Sequence, residues 1–312
     1  MGKILFFIIF SPLFLSILFW KQNKESENNF ATEPKTCVDC HAGLFEKKIK
    51  HPLKENNLCD ECHKSNGNEH PNVDMPAFSL VEKLPDLCLT CHVEIKNLLA
   101  DSRVVHQAAN DKKYCIYCHS PHSSNEKKLL VSVRKELCLS CHNKPIPTDG
   151  SQILPDIALQ DKTGKVFHPP FQKCSKSCHN PHASDNYRLL IEPFPEEEYA
   201  PGNTESFALC FSCHKSSLLE TAVTTTVTNF RNGDRNLHYV HVNKEKGRKC
   251  TLCHYPHATK NEHLIRDEVK FGNFEFKLNY QSDSTGGSCF PGCHVERRYY
   301  RLLLQPDSLL NK

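Results

Sequence analysis

The sequence predicts a mostly irregular fold with short helices and few strands, built from repeated modules whose core is not made of side chains alone. Three observations predict it. A Cys-x-x-Cys-His motif, or a form one residue longer, occurs nine times and uses all 18 cysteines. Apolar content is 38%, much of it in the first twenty residues, and the remainder is rich in Lys, Asn, Glu and Ser. Such a chain buries too little apolar surface to offset its conformational entropy unaided. The 19 prolines also interrupt helices in most linkers.

The motifs place Cys37 and Cys40 before His41, Cys59 and Cys62 before His63, and Cys88 and Cys91 before His92. Cys115 and Cys118 precede His119, Cys138 and Cys141 precede His142, and Cys174 and Cys178 precede His179. Cys210 and Cys213 precede His214, Cys250 and Cys253 precede His254, and Cys289 and Cys293 precede His294. This is the attachment pattern of c-type haem: two thiols add across the vinyl groups, and the adjacent histidine is placed to ligate iron. Nine covalent haems would be carried, roughly one per 30 residues. Zinc knuckles have no reason to put His directly after the second Cys every time. A disulfide scaffold needs denser cysteine, in pairs that close longer loops. The motifs at Cys174 and Cys289 have three residues between the thiols, and Gly292 suits the bulge that absorbs the extra one.

Stacked porphyrins would then serve as the core, so the haem-free chain is expected to be largely unfolded. The formal charge of +3 misleads. An oxidised bis-histidine haem with ionised propionates carries about −1, which brings a nine-haem protein to roughly −6 and removes the case for a nucleic-acid partner. Lys47, Lys48, Lys112 and Lys113 neutralise propionates or are solvated. Lys3 precedes an apolar run from Ile4 to Trp20 broken only by Ser11, Pro12 and Ser16. Residues 1–30 read either as a cleaved signal peptide or as an uncleaved membrane anchor, and both export residues 31–312. The expected compartment is periplasmic or otherwise extracytoplasmic, with or without inner-membrane anchoring.

The chain also repeats on a longer scale. One copy runs from His106 through Cys118-His119-Ser-Pro-His122, Ser124 and Leu129-Leu130 to Cys138–His142. A second runs from His168 through Cys178-His179-Asn-Pro-His182, Ser184 and Leu189-Leu190 to Cys210–His214. A third has His241, Cys253-His254-Tyr-Pro-His257 and Leu264-Ile265, and ends at Cys289–His294. A looser first copy has His51, Cys59–His63, His70 and Cys88–His92. The modules are thus about 37–50 (one motif), then 51–105, 106–160, 161–235 and 236–298.

These residues resemble the doubled-CxxCH family of multihaem c-type cytochromes, over roughly residues 37 to 298. The CHxPH-Ser-Leu-Leu pattern and the ending Gly286-Gly287-Ser288-Cys289-Phe-Pro-Gly-Cys293-His294 carry the resemblance. It implies a multihaem cytochrome c fold, covalent haem c and electron transfer with redox-protein partners. The first copy departs from the pattern, since His70 lies seven residues after His63 rather than three.

Of 19 histidines, nine sit in motifs. Ten remain for nine sixth positions: His51, His70, His106, His122, His168, His182, His238, His241, His257 and His263. With two methionines, Met1 and Met75, Met/His ligation cannot be general, and low-potential bis-histidine haems are expected. His122 follows His119 by three residues, a reach of about 10 Å, too short to round a porphyrin rim. It is expected to ligate a different haem, as are His182 and His257. The upstream His51, His106, His168 and His241 are expected ligands. His263 aligns with Lys128 and Arg188, positions that need only polarity, so it is assigned to solvent. His238 is assigned to the haem at Cys37–His41, the one expected to be open or ligated by a partner.

Short helices are expected after several motifs. Thr221 to Phe230 reads as a strand running into Asn232-Gly233, and Val269 to Tyr280 as strand-like around Gly272-Asn273. Functionally, the chain reads as an electron carrier between a membrane quinol dehydrogenase or another cytochrome and a terminal reductase or outer conduit, not as an enzyme. The competing reading is a multihaem reductase of a nitrogen or sulfur oxyanion. That reading needs an open iron, and no CxxCK motif marks one. A subunit of a haem filament is compatible with the carrier reading.

Overall fold

The computed structural model describes residues 36–53, 58–71, 74–110, 114–148 and 153–302. The apolar run Ile4–Trp20 lies outside these residues, as do Lys112 and Lys113. No described helix is long and apolar enough to cross a membrane. The chain divides into two units, Met1–Leu44 and Phe45–Lys312. In the first, the Cys37–Cys40 helical turn begins where the Thr36 backbone N–H donates to the Asp39 carboxylate at 2.6 Å.

The second unit is largely irregular. Its longer helices are Val93–Asp101 and Arg134–Cys141. Described strands run two to four residues and pair in twos, except for the antiparallel sheet of Gln281–Ser282, Gly286–Cys289 and Arg297–Tyr300. Side-chain cores form in the C-terminal half: Ala200, Phe207, Leu219 and Val242 in one, and Ile265, Val269 and Leu278 in the other.

Three small antiparallel pairs join one repeat to the next. Ile49–Lys50 pairs with Ser123–Ser124, Val104–Val105 with Ala183–Ser184, and Val166–Phe167 with Ala258–Thr259. Each continues into a backbone bond between histidines. The N–H groups of His51, His106 and His168 donate to the carbonyls of His122, His182 and His257 at 2.9, 2.8 and 3.0 Å.

One sequence expectation changes. The segment Thr221 to Phe230 is not a strand. It is irregular apart from a bridge at Val223, and the two-residue strands Arg231–Asn232 and Arg235–Asn236 flank Gly233 instead. The reason is local: Thr224 Oγ1 accepts from the N–H groups of Thr226 and Val227, turning the backbone where β-branched residues alone suggest extension. The second hairpin forms as Glu268–Phe271 against Phe274–Lys277, with Gly272 at φ +58°. Helices do follow some motifs, as Val93–Asp101 follows His92, but several motifs are themselves the helical turn.

Candidate haem-binding centres

Six of the seven regularly spaced motifs close one turn on themselves. The histidine N–H donates to the carbonyl of the first cysteine four residues back, at 2.8–3.0 Å for His41, His92, His119, His142, His214 and His254. One turn therefore presents both thiols and the imidazole from a single short segment. The longer motifs solve the extra residue differently. Cys174 takes φ +42°, and Gly292 takes φ +74° beneath the Phe276 ring. All 18 thiols are unbridged.

Opposite the motif histidines stand the remaining ones. His63 faces His122, His119 faces His182, and His179 faces His257, with ring centroids 6.2, 6.1 and 6.4 Å apart. His92 faces His51, His142 faces His106, and His214 faces His168, at 6.4, 6.3 and 6.2 Å. His254 faces His238 at 6.2 Å. His241 lies within electrostatic reach of His294. His70 packs edge-on against Phe78, and His41 belongs to the first unit.

This narrow spacing is a test of fit. Two imidazoles on opposite sides of one metal, each bonded at about 2 Å, hold their centroids about 6.3 Å apart. Among the described residues no group of three or more His, Cys, Asp or Glu could hold an ion. A bare cation would find two opposed nitrogens and nothing around its equator. A porphyrin iron supplies its own four equatorial nitrogens and lacks only the two axial ones, so the donor set fits haem.

Several of the imidazoles are held in the neutral, ligating form. Burial, followed by the charge of the facing imidazole, lowers the pKa of His51, His122, His142, His168 and His182. The same causes lower His238 and His257 to about 4. Neutral imidazole is the form that binds metal. Nδ1 is engaged by an acceptor in many of them, which leaves Nε2 for iron. His119, His179 and His254 bond through Nδ1 to the carbonyls of Lys128, Arg188 and His263 at 2.7, 2.9 and 2.8 Å. His106 and His241 bond to Pro181 and Leu237, and His294 to Val295.

The Lys128, Arg188 and His263 carbonyls point there because these residues take φ +62°, +55° and +56°. The following leucines are also left-handed. The loop is tied back by Ser124 and Ser184, whose hydroxyls donate to the Leu130 and Leu190 carbonyls, while Asn261 donates to Ile265 in the third copy. Here lies what the sequence reading missed. The position shared by Lys128, Arg188 and His263 was taken to need only polarity, yet its backbone holds the motif histidine. The His263 side chain is exposed, in line with its assignment to solvent. The available signal was the fixed nine-residue interval from motif histidine to this position in all three copies.

The second correction concerns His238. Its ring faces His254, so it does not serve the motif at Cys37–His41. The physical reason is modular. In each of the first three two-motif modules, the upstream histidine faces the second motif, and the His of the next module's CHxPH faces the first. In the module from 236 to 298 the helix Leu237–Val242 instead carries two histidines three residues apart, His238 facing His254 and His241 within electrostatic reach of His294.

Thiols of successive motifs also approach one another. Cys88 and Cys115, Cys138 and Cys174, and Cys210 and Cys250 shift one another's pKa, each pair across a module boundary. Within modules, Cys62 feels Cys91, Cys118 feels Cys141, Cys178 feels Cys210 and Cys213, and Cys253 feels Cys289 and Cys293. The eight motifs from Cys59 to His294 are thus neighbours in chain order.

No curated protein matches the chain. The family model described as the doubled CXXCH motif matches it three times, over residues 51–97, 106–146 and 168–218. These stretches fall on the first three two-motif modules, where the opposed imidazoles and paired motifs have just been located. Over these stretches the chain is similar to the doubled-CXXCH family, which supports a multihaem c-type cytochrome.

Proposed function

We propose that this chain is an exported nine-haem cytochrome that passes electrons along a chain of covalently bound, mainly bis-histidine haems. The single observation that carries this reading is the set of seven opposed imidazole pairs at 6.1–6.4 Å, each joining a motif histidine to a non-motif one. The neighbouring thiols of successive motifs support a wire in which haem order follows chain order. Opposed imidazoles saturate the irons they bind, which favours one-electron transfer over substrate chemistry. The protein's part is to set spacing, ligand tautomer and solvent access. Its donor would be a membrane quinol dehydrogenase or another cytochrome, and its acceptor a terminal reductase or an outer conduit. The N-terminal apolar run would deliver it across the membrane, as a signal or as an anchor.

The test combines two measurements on the purified, mature protein. Intact mass after acid denaturation should show nine covalent haems. Electron paramagnetic resonance of the oxidised form should be dominated by low-spin iron, with little carbon monoxide bound after reduction. Strong high-spin signals with stoichiometric carbon monoxide binding would favour the reductase instead.

A further inference from the structure

The internal repeat offers a comparison within one molecule. The residue directly after the Leu-Leu or Leu-Ile pair donates its backbone N–H to the second cysteine of its motif. Val131 does so to Cys118 at 3.0 Å, Ile191 to Cys178 at 2.9 Å and Arg266 to Cys253 at 2.9 Å. The backbone position is the same in all three copies. Two copies place an exposed aliphatic side chain there, Val131 at 48% and Ile191 at 43% exposure. The last copy places a guanidinium.

Arg266 is not a surface charge in an ion pair. It is partly buried, lies 4.4 Å from the centroid of Tyr255, and donates through Nε to the Thr251 carbonyl at 2.9 Å. Nearby Arg248 is clamped between Tyr199 and Phe271, at 4.3 and 4.6 Å, and its Nη1 is buried without a hydrogen-bond partner. None of the ion pairs among the described residues involves either arginine. The charge of Arg266 reaches Cys253, His254 and His257, and that of Arg248 reaches Cys253 and His241. Two partly buried cations, each stacked on aromatic rings and outside every described ion pair, therefore stand among the donors of the last module's haem sites.

Resting on the haem reading above, we propose that Arg266, assisted by Arg248, raises the reduction potential of the haem at Cys250–His254 above those of its sister sites at Cys115–His119 and Cys174–His179. Reduction takes one electron from the neighbouring ferrous haem, turns this ferric iron ferrous, and lowers the net charge of the site by one. A fixed positive charge in a partly desolvated site favours that state. Electrons entering the wire would then settle toward its C-terminal end, which makes that end the face offered to the acceptor.

The test uses the full-length, haem-loaded protein and follows the Soret and α bands in a spectroelectrochemical titration. Arg266→Val installs the residue of a sister copy. It should move one haem's share of the absorbance change, a ninth of the total, to lower potential. Arg266→Lys should leave that share near its wild-type position. Val131→Arg, at a more exposed and better screened site, should move a ninth of the change upward by less than Arg266→Val moves it down, and does not depend on Arg266→Val folding normally. Intact mass separates this inference from the reading beneath it. A wild-type protein without covalent haem defeats the reading, whereas equal haem numbers with superimposable titrations defeat the inference. Equal downward shifts in the Val and Lys variants would also overturn it, since they would point to packing on Tyr255 rather than charge.

Discussion

His238 is where ligand assignment from spacing and from geometry part, and its removal separates the two. In the structure its ring faces His254 at 6.2 Å, its Nδ1 contacts Thr228 Oγ1 at 3.1 Å, and Phe230 meets it edge-on at 5.2 Å. His238→Ala leaves the eighteen attachment thiols untouched, so the mass should still show every haem. It empties a packed, partly buried space, at a cost of about 2–4 kcal/mol in stability. One iron should lose its sixth ligand, become high-spin, and bind one additional carbon monoxide per protein after reduction. The decisive arm repeats the change in a Cys250→Ser/Cys253→Ser background, which removes the attachment thiols of that motif. If His238 serves Cys250–His254, the additional carbon monoxide site disappears there. If one additional carbon monoxide still binds in that background, His238 ligates another haem and the modular account of the last repeat is wrong.

Other expectations follow from the same contacts. Asn236 is fully buried; its side chain accepts from the His238 N–H at 3.0 Å and donates to the Leu218 and Thr221 carbonyls at 3.1 and 2.7 Å. Asn236→Ala should lower stability by about 2–4 kcal/mol in chemical denaturation and loosen both ligands on its helix, visible as added high-spin iron. Ser184→Ala removes the 2.5 Å bond to Leu190 that ties the loop beneath His179, and should cost about 1–2 kcal/mol. Gly292→Val meets both a left-handed backbone and the Phe276 ring, so about 1–3 kcal/mol of destabilisation in chemical denaturation and reduced haem attachment at Cys289–His294 by intact mass are expected. A chain with every motif cysteine changed to serine should show no cooperative thermal transition by far-ultraviolet circular dichroism. A sharp one would mean that side chains alone make the core.

Legibility in the sequence tracked locality. The motifs were readable because each is complete within five or six residues of chain. The inference that His122 must serve a haem other than its own motif's was readable too, since chain reach alone decides it, and the ring facing His122 is indeed that of His63. The Gly272-Asn273 turn was legible because a left-handed glycine there has a residue-type signature. The segment Thr221 to Phe230 misled, because its β-branched propensity was overridden by the Thr224 side chain bonding its own backbone. The Lys128, Arg188 and His263 loop was only half legible: its recurrence was plain, but the function of a backbone carbonyl leaves no mark on side-chain identity.

From its amino acids alone, this chain declares the chemistry of its sites, their repetition in pairs, and the supply of histidines able to complete them. Covalent spacing dictates all of that. Which imidazole opposes which depended on two-residue strands joining one module to the next, and on the helix Leu237–Val242 bringing His238 against His254. Those pairings span tens of residues and rest on backbone hydrogen bonds that almost any side chain permits, so only the folded arrangement could decide them.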